Sequence, residues 1–233
     1  MRRLLIAVAT VALAAVIATN SDARKRSPTG SIKGSVVFEG TPPARAKVNR
    51  SSDPICKRNK TPDESVIVGD QGGLQDVFVQ VEAERAFAIR APEDPVVIDQ
   101  VGCAYSPRVV GVISGQPLHI NNGDKTLHNV HAYLDGDTAW NMAQPKQAKP
   151  IKKALDANGV LELKCDVHPW MRAWAGYVDH DQFDVTGATG SFEIDNVTVG
   201  KHTVSAWHPT LGKQTVEVTV KSRKTATATL RFK

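Results

Sequence analysis

The sequence predicts an all-β protein built from two β-sandwiches. Three observations carry this: short runs rich in Val, Ile and Thr recur along the chain, nearly every run is bounded by Gly, Pro, Asn or Asp, and no segment sustains a helical stripe. The 233 residues allow one large or two small domains. With 41% hydrophobic and 23% charged residues the composition is that of an ordinary globular protein, which excludes general disorder.

The first residues precede the fold. Arg2 and Arg3 are followed by an uncharged run over residues 4–18 and a short polar stretch ending in Ser21-Asp22-Ala23. This is the pattern of a secretory signal peptide over residues 1–23, cleaved after Ala23, and the apolar run falls short of the roughly 20 residues a membrane span needs. An uncleaved anchor is the alternative; membrane contact is otherwise expected to be peripheral. The first cysteine is Cys56, far from the cleavage point, so lipid attachment there is not expected. Export to the periplasm or beyond the cell makes disulfides available.

The first strand is read at residues 31–38, ending at Glu39-Gly40-Thr41-Pro42-Pro43, and the second in the strict alternation of 76–82. Runs at 109–113 and 118–120 flank Ser114-Gly115, then come 159–165, 173–178, 191–194, 202–207, 213–220 and 225–232. Residues 141–155 are the one stretch allowed a short helical turn, which Pro145 and Pro150 limit. Four strands at the carboxyl end are too thin to bury a core alone. Residues 32–38 and 77–81 are therefore expected to complete that sandwich, giving one domain from 30–84 and 184–233, with a second over 92–180 inserted into it.

The carboxyl-terminal run Thr186-Gly187-Ala188-Thr189-Gly190-Ser191-Phe192-Glu193-Ile194, followed by Val197-Thr198-Val199-Gly200-Lys201-His202-Thr203-Val204, resembles carboxypeptidase-regulatory-like, or transthyretin-like, β-domains. That resemblance implies a smaller β-sandwich used for packing and adhesion, and no chemistry of its own.

Charge narrows the partners. The formal net charge of +5 falls to +4 when Arg2, Arg3 and Asp22 leave with the leader. Lys and Arg are spread out, and the runs at 24–26 and 221–224 carry no interleaved aromatics. That pattern reads as solvated surface, open to an acidic partner, and argues against a nucleic-acid groove.

The chemistry lies in the middle of the chain. Cys165, His168 and Met171 stand at spacing Cys-x-x-His-x-x-Met directly after an alternating strand, and His128-Asn129-Val130 stands upstream at a loop-to-strand junction. One thiolate, two imidazoles and a thioether form the ligand set of mononuclear electron-transfer copper. Singly, each residue reads as a small core thiol, a core filler or a hydrogen-bonded histidine; their order at strand ends is what points to a metal.

With these residues, the chain over roughly 95–180 resembles the cupredoxins, the plastocyanin-like family. The resemblance implies a Greek-key sandwich holding one type 1-like copper ion. His128 and His168 would give ring nitrogens, Cys165 the thiolate and Met171 a long axial sulfur. Asn129 would tie the two ligand loops together and hydrogen-bond near the Cys165 sulfur. The chain departs from plastocyanins in placing two residues, not four, between His168 and Met171. No second cysteine lies within four residues of Cys165, which excludes a binuclear site. His131 competes with His128 for the metal; three residues on, it falls on the opposite face of a strand, and His128 is preferred.

Of the three cysteines, Cys56 and Cys103 are expected to form a disulfide clamping the two β-domains, leaving Cys165 to the metal. Trp140, Trp170 and Trp174 read either as an apolar collar around the site or as ordinary core and rim. His180, His202 and His208, with Asp179 and Asp181, share no tight spacing, so a second metal site is not expected.

The reading that follows is an exported copper electron carrier serving a redox partner protein. The alternatives are a copper carrier or storage protein, and a non-redox binding or adhesion module. No enzyme and no small-molecule substrate are expected, because all four ligand positions are filled and neither a nucleophile–base pair nor a Gly-rich phosphate loop is present.

Overall fold

The computed structural model describes residues 27–82 and 89–233; the leader expected at 1–23 lies outside them. In chain order the strands are β1 (Thr29–Phe38), β2 (Phe78–Val81), β3 (Val96–Gln100), β4 (Tyr105–Ser106), β5 (Val109–Ile113), β6 (Pro117–Ile120), β7 (His128–Leu134) and β8 (Asp137–Gln144). They continue with β9 (Ile151–Ala154), β10 (Gly159–Lys164), β11 (Arg172–Val178), β12 (Phe183–Val185), β13 (Ser191–Thr198), β14 (Gly200–His208), β15 (Gly212–Val220) and β16 (Thr225–Phe232). The fold is all-β, and no helix among the described residues is long and apolar enough to cross a membrane.

Four sheets are formed, in the strand orders β13-β1-β16, β12-β2-β14-β15, β5-β11-β10-β7-β8 and β4-β3-β6-β9. Their side chains define the stacking. Ile32, Val36, Phe192, Ile194, Leu230 and others of the first sheet meet Val79, Val81, Val204 and Ala206 of the second in one apolar core. Val110, Val112, Val130, Leu161, Leu163 and Tyr177 of the third sheet meet Ile98, Leu118, Ile120 and Ile151 of the fourth in another. Between the second and third sheets lies a thinner layer of Phe78, Val109, Trp174 and Val178, flanked by Phe183, Val185 and Trp207. Four sheets thus enclose three apolar layers.

Strand patterns follow from this stacking. β11 lies in the middle of the stack and is buried on both faces, with Ala173, Ala175 and Tyr177 in one layer and Trp174 and Val178 in the next. Such strands read as continuous apolar runs, not alternations. β13 and β16 face water on one side and alternate instead. The tight hairpin between β7 and β8 turns on Asp135-Gly136, both at positive φ, the conformation a two-residue turn with right-handed strand twist requires.

Two expectations are corrected. Residues 141–155 hold no helical turn: they form the end of β8, a connection and β9, with Pro145 and Pro150 between the strands, where a missing N–H is harmless. The Cys56–Cys103 disulfide is present, yet both half-cystines are buried in the core between the third and fourth sheets. It fastens the long connection that follows β1 onto that core, so the clamp acts on a loop and not between the bodies of two sandwiches.

Candidate metal centre

The site is built at one end of the third sheet. β10 lies between β11 and β7 and runs antiparallel to both, so that Lys164 pairs with Arg172 on one side and His131 on the other. The residue that follows, Cys165, therefore emerges beside Met171 and the start of β7. His128 is the first residue of β7 and Asn129 the second. The 165–171 loop is closed by its own backbone: Cys165 N–H donates to the Met171 carbonyl at 3.3 Å and Met171 N–H to the His168 carbonyl at 2.9 Å.

Three donor atoms converge there. The ligand atoms of His128, Cys165 and His168 all lie within 4.8 Å of one another. The two Nδ1 atoms are 2.9 Å apart, and Cys165 Sγ is 3.8 Å from His168 Nδ1. His128, Cys165 and His168 are at most 1% exposed, so a cation held there is shielded from water. Met171 is equally buried in the same core and meets the loop through its backbone hydrogen bonds.

Asn129 joins the two loops. Its N–H points at Cys165 Sγ at 3.5 Å, its Oδ1 accepts from Asp166 N–H at 2.6 Å, and its Nδ2 donates to Asn141 Oδ1 and Asp166 Oδ2. Tyr105 directs its hydroxyl at the carbonyls of Asn129 and Lys164. His131 points the other way, into a polar cluster with Asp166, Tyr133, Thr138 and Asn141 on the outer face.

Two carboxylates complete the centre, and sequence reasoning missed both. Asp124 Oδ2 is 2.9 Å from His128 Nε2, and Asp53 Oδ2 is 3.4 Å from His168 Nε2. Asp124 lies four residues before His128 in a turn, a spacing that could have suggested it. Asp53 is distant in sequence, and only the Cys56–Cys103 pairing pointed toward it.

Burial and neighbouring groups oppose one another at these side chains. Burial alone would lower His128, but its hydrogen bonds to Asp124 and Cys165 push it up to about 9. Burial alone would raise Cys165; hydrogen bonding from His128 and from the backbone N–H groups of Asn129, His168 and Val167 outweighs it and holds the thiol below its usual value. His168 is lowered by burial and by the neighbouring His128 charge, against the pull of Asp53. Hydrogen bonding thus favours the charged form of both His128 and Cys165. A cation held at His128 Nδ1 would compete with its proton, which would couple metal affinity to pH. Two imidazole nitrogens and a thiolate in a buried site suit copper in both oxidation states.

The remaining candidates are dispersed. Trp170 is packed 5.1 Å from the His168 ring and donates its Nε1–H to the Cys103 carbonyl. Trp140 belongs to the core and Trp174 to the layer between the second and third sheets. His180 Nδ1 accepts from Gln182 N–H, His202 pairs with the Thr198 carbonyl, and His208 Nδ1 accepts from Thr210 and Leu211 N–H. Among the described residues, none of these three histidines joins a group able to hold a metal.

The polysaccharide lyase family 4, domain II family matches residues 156–228, under half of the chain. It overlaps the carboxyl-terminal part of the expected carboxypeptidase-regulatory-like domain and begins within residues 92–180, and corrects that expectation. No curated protein matches the sequence. Among solved structures the chain is similar to a purple cupredoxin from Nitrosopumilus maritimus, at 19% identity and a TM-score of 0.32, covering 35% of this chain and 98% of that one. It is also similar to amicyanin from Paracoccus versutus, at 22% identity and 0.34, covering 43% and 97%. A copper-containing nitrite reductase from Thermus scotoductus matches at 16% and 0.33, over 42% of this chain and 26% of that one. Likenesses this distant decide nothing about function, which rests on the site.

Proposed function

We propose that the chain is a cupredoxin-type mononuclear copper protein that carries single electrons outside the cytoplasm. The observation that carries this reading is the convergence of His128 Nδ1, His168 Nδ1 and the Cys165 sulfur in a sealed site, with Asn129 N–H directed at the sulfur. Copper bound there would supply a one-electron couple. The chain's own contribution is to fix the donors before the metal arrives, so that gain or loss of an electron demands little rearrangement, and to exclude water by burial. Met171 would provide a thioether as a fourth donor.

The disulfide supports an oxidising compartment, and the partner in this reading is another redox protein. Burial of every donor, with the disulfide-tethered connection packed over His168, favours electron transfer over a copper carrier, which must release its cargo quickly. The same burial would keep a substrate away from the donors, so the reading is not that of an enzyme.

The test is the visible spectrum of the copper-loaded protein beside its Cys165→Ser variant. An intense thiolate-to-copper band, lost in the variant, is the expected result. Metal-replete wild type without that band overturns the reading.

A further inference from the structure

Both imidazoles of the centre are backed by a carboxylate, and the two carboxylates are anchored in the same way. Asp124 accepts from Gly102 N–H through Oδ1 and from Cys103 N–H through Oδ2, each at 2.7 Å, and holds His128 Nε2 at 2.9 Å. Asp53 accepts from Ile55 N–H at 2.6 Å and Cys56 N–H at 3.0 Å through Oδ1, and faces His168 Nε2 with Oδ2. Each carboxylate is thus fixed by the backbone N–H of one half-cystine, and the disulfide joins the two half-cystines. Thr126 closes the frame by donating its hydroxyl to Asp53 Oδ2 at 2.7 Å. Cys56 Sγ lies 3.5 Å from His168 Nε2.

A carboxylate can only accept. Asp124 therefore takes a hydrogen from His128 Nε2, and the negative charge of Asp53 at 3.4 Å favours a hydrogen on His168 Nε2, which leaves each Nδ1 as the metal-binding nitrogen, and the Nδ1 atoms are the ones that meet. We infer that Asp53, Asp124 and the Cys56–Cys103 disulfide act as one positioning frame that sets the tautomer of both histidines and biases the centre toward the more highly charged, oxidised metal. The inference rests on the copper reading above. A carboxylate behind an imidazole makes the ring a stronger donor and adds negative charge near the metal. Both effects favour Cu(II) over Cu(I) and lower the reduction potential.

The experiment uses Asp53→Asn, Asp124→Asn and the disulfide-free pair Cys56→Ser with Cys103→Ser. Metal-free protein is read by long-range 1H–15N correlation of the histidine rings. Copper-loaded protein is read by competition affinities for Cu(II) and Cu(I) and by reduction potential. Wild type is expected to show Nε2–H on both rings; the disulfide-free variant should show mixed tautomers at His168. Each Asn variant should weaken Cu(II) binding by about 10- to 100-fold and Cu(I) binding less. Each tenfold change in the ratio raises the potential by about 59 mV.

A carboxylate that merely anchors its loop would lower the unfolding temperature while leaving tautomers, affinity ratio and potential unchanged, and that result overturns the frame. The Asn variants keep the disulfide and so decide the matter if the Ser pair fails to fold. Wild type with the expected tautomers and no copper affinity would instead sink the copper reading, and with it the bias, while the positional half of the inference would stand.

Discussion

His128 and His131 stand three residues apart on β7 and face opposite environments. His128 is sealed in the site, while His131 is spoken for by Asp166, Tyr133, Thr138 and Asn141 outside it. His128→Ala is therefore expected to abolish the intense visible band and His131→Ala to keep it, read by titrating each variant with copper; the reverse pattern would reassign the ligand. A different histidine sets an acid limit. His208 is fully buried, accepts two backbone N–H groups at Nδ1 and leaves Nε2 without a partner. Burial, and to a lesser extent the Arg108 charge, lower it to about 4 from 6.5. Above pH 6.5 both folded and unfolded chains keep this ring neutral, so it adds no pH dependence. As the pH falls from 6.5 to about 4 the unfolded chain takes a proton that the folded chain refuses, and stability drops by about 1.4 kcal/mol per pH unit before levelling. His208→Asn keeps an acceptor for the two N–H groups and should flatten that slope by one proton in denaturant titrations across this range; an unchanged slope would show that His208 is not its source. At this scale the Cys165, His168 and Met171 loop was legible because its spacing is local, and His128 because it opens a strand. Asp53 was not, because its role depends on a disulfide bringing the connection after β1 against a loop far along the chain.

At the scale of elements, the layer between the second and third sheets depends on two residues that have no side chain. Gly176 on β11 and Gly111 on β5 are paired in register. Phe78 packs against the first and Phe183 against the second, their rings 5.5 Å apart. A Cβ at Gly111 would overlap the Phe183 ring, and one at Gly176 would press on Phe78. Gly111→Val and Gly176→Val are each expected to cost about 1–3 kcal/mol by overpacking, which lowers the unfolding temperature by about 2–4 °C per kcal/mol in a chain of this size. The copper band should survive, since His128 and Cys165 sit at the end of the sheet and in the other layer. Loss of the band with an unchanged unfolding temperature would contradict this placement. The strands legible in the sequence were those whose burial is one-sided or complete, such as β5, β15 and β16. β8 was hidden because only Trp140 and Gln144 of its eight residues are buried, which leaves no alternation to see. β4 has two residues and β12 three, too short for any periodic signal. The inward positions of β2 and β14 were readable as apolar, but not which of two layers each side chain enters.

At the scale of the molecule, the question is whether metal binding is felt beyond the third and fourth sheets. Of the candidate ligands, Cys165 and Met171 belong to the core between those sheets, and His128 and His168 are buried as well. The second sheet nonetheless shares the Phe78, Val109, Trp174 and Val178 layer with the third, and its other face forms the core with the first. Losing either outer core would expose this middle layer to water on one side. Each buried aromatic there contributes on the order of 1.5–3 kcal/mol, a sizeable fraction of the 5–15 kcal/mol that holds a domain folded. Separate unfolding of one half is therefore disfavoured, and the disulfide-tethered connection after β1 adds a second tie. Wild type should unfold in one thermal transition that copper shifts as a whole, by about 4 kcal/mol of added stability when free metal exceeds its dissociation constant a thousandfold. Calorimetry of the double variant Gly111→Val with Gly176→Val should then show two transitions, of which copper moves only the one that exposes Cys165 to thiol reagents. Two transitions in wild type, with only one sensitive to copper, would mean that the middle layer is adhesive but not cooperative.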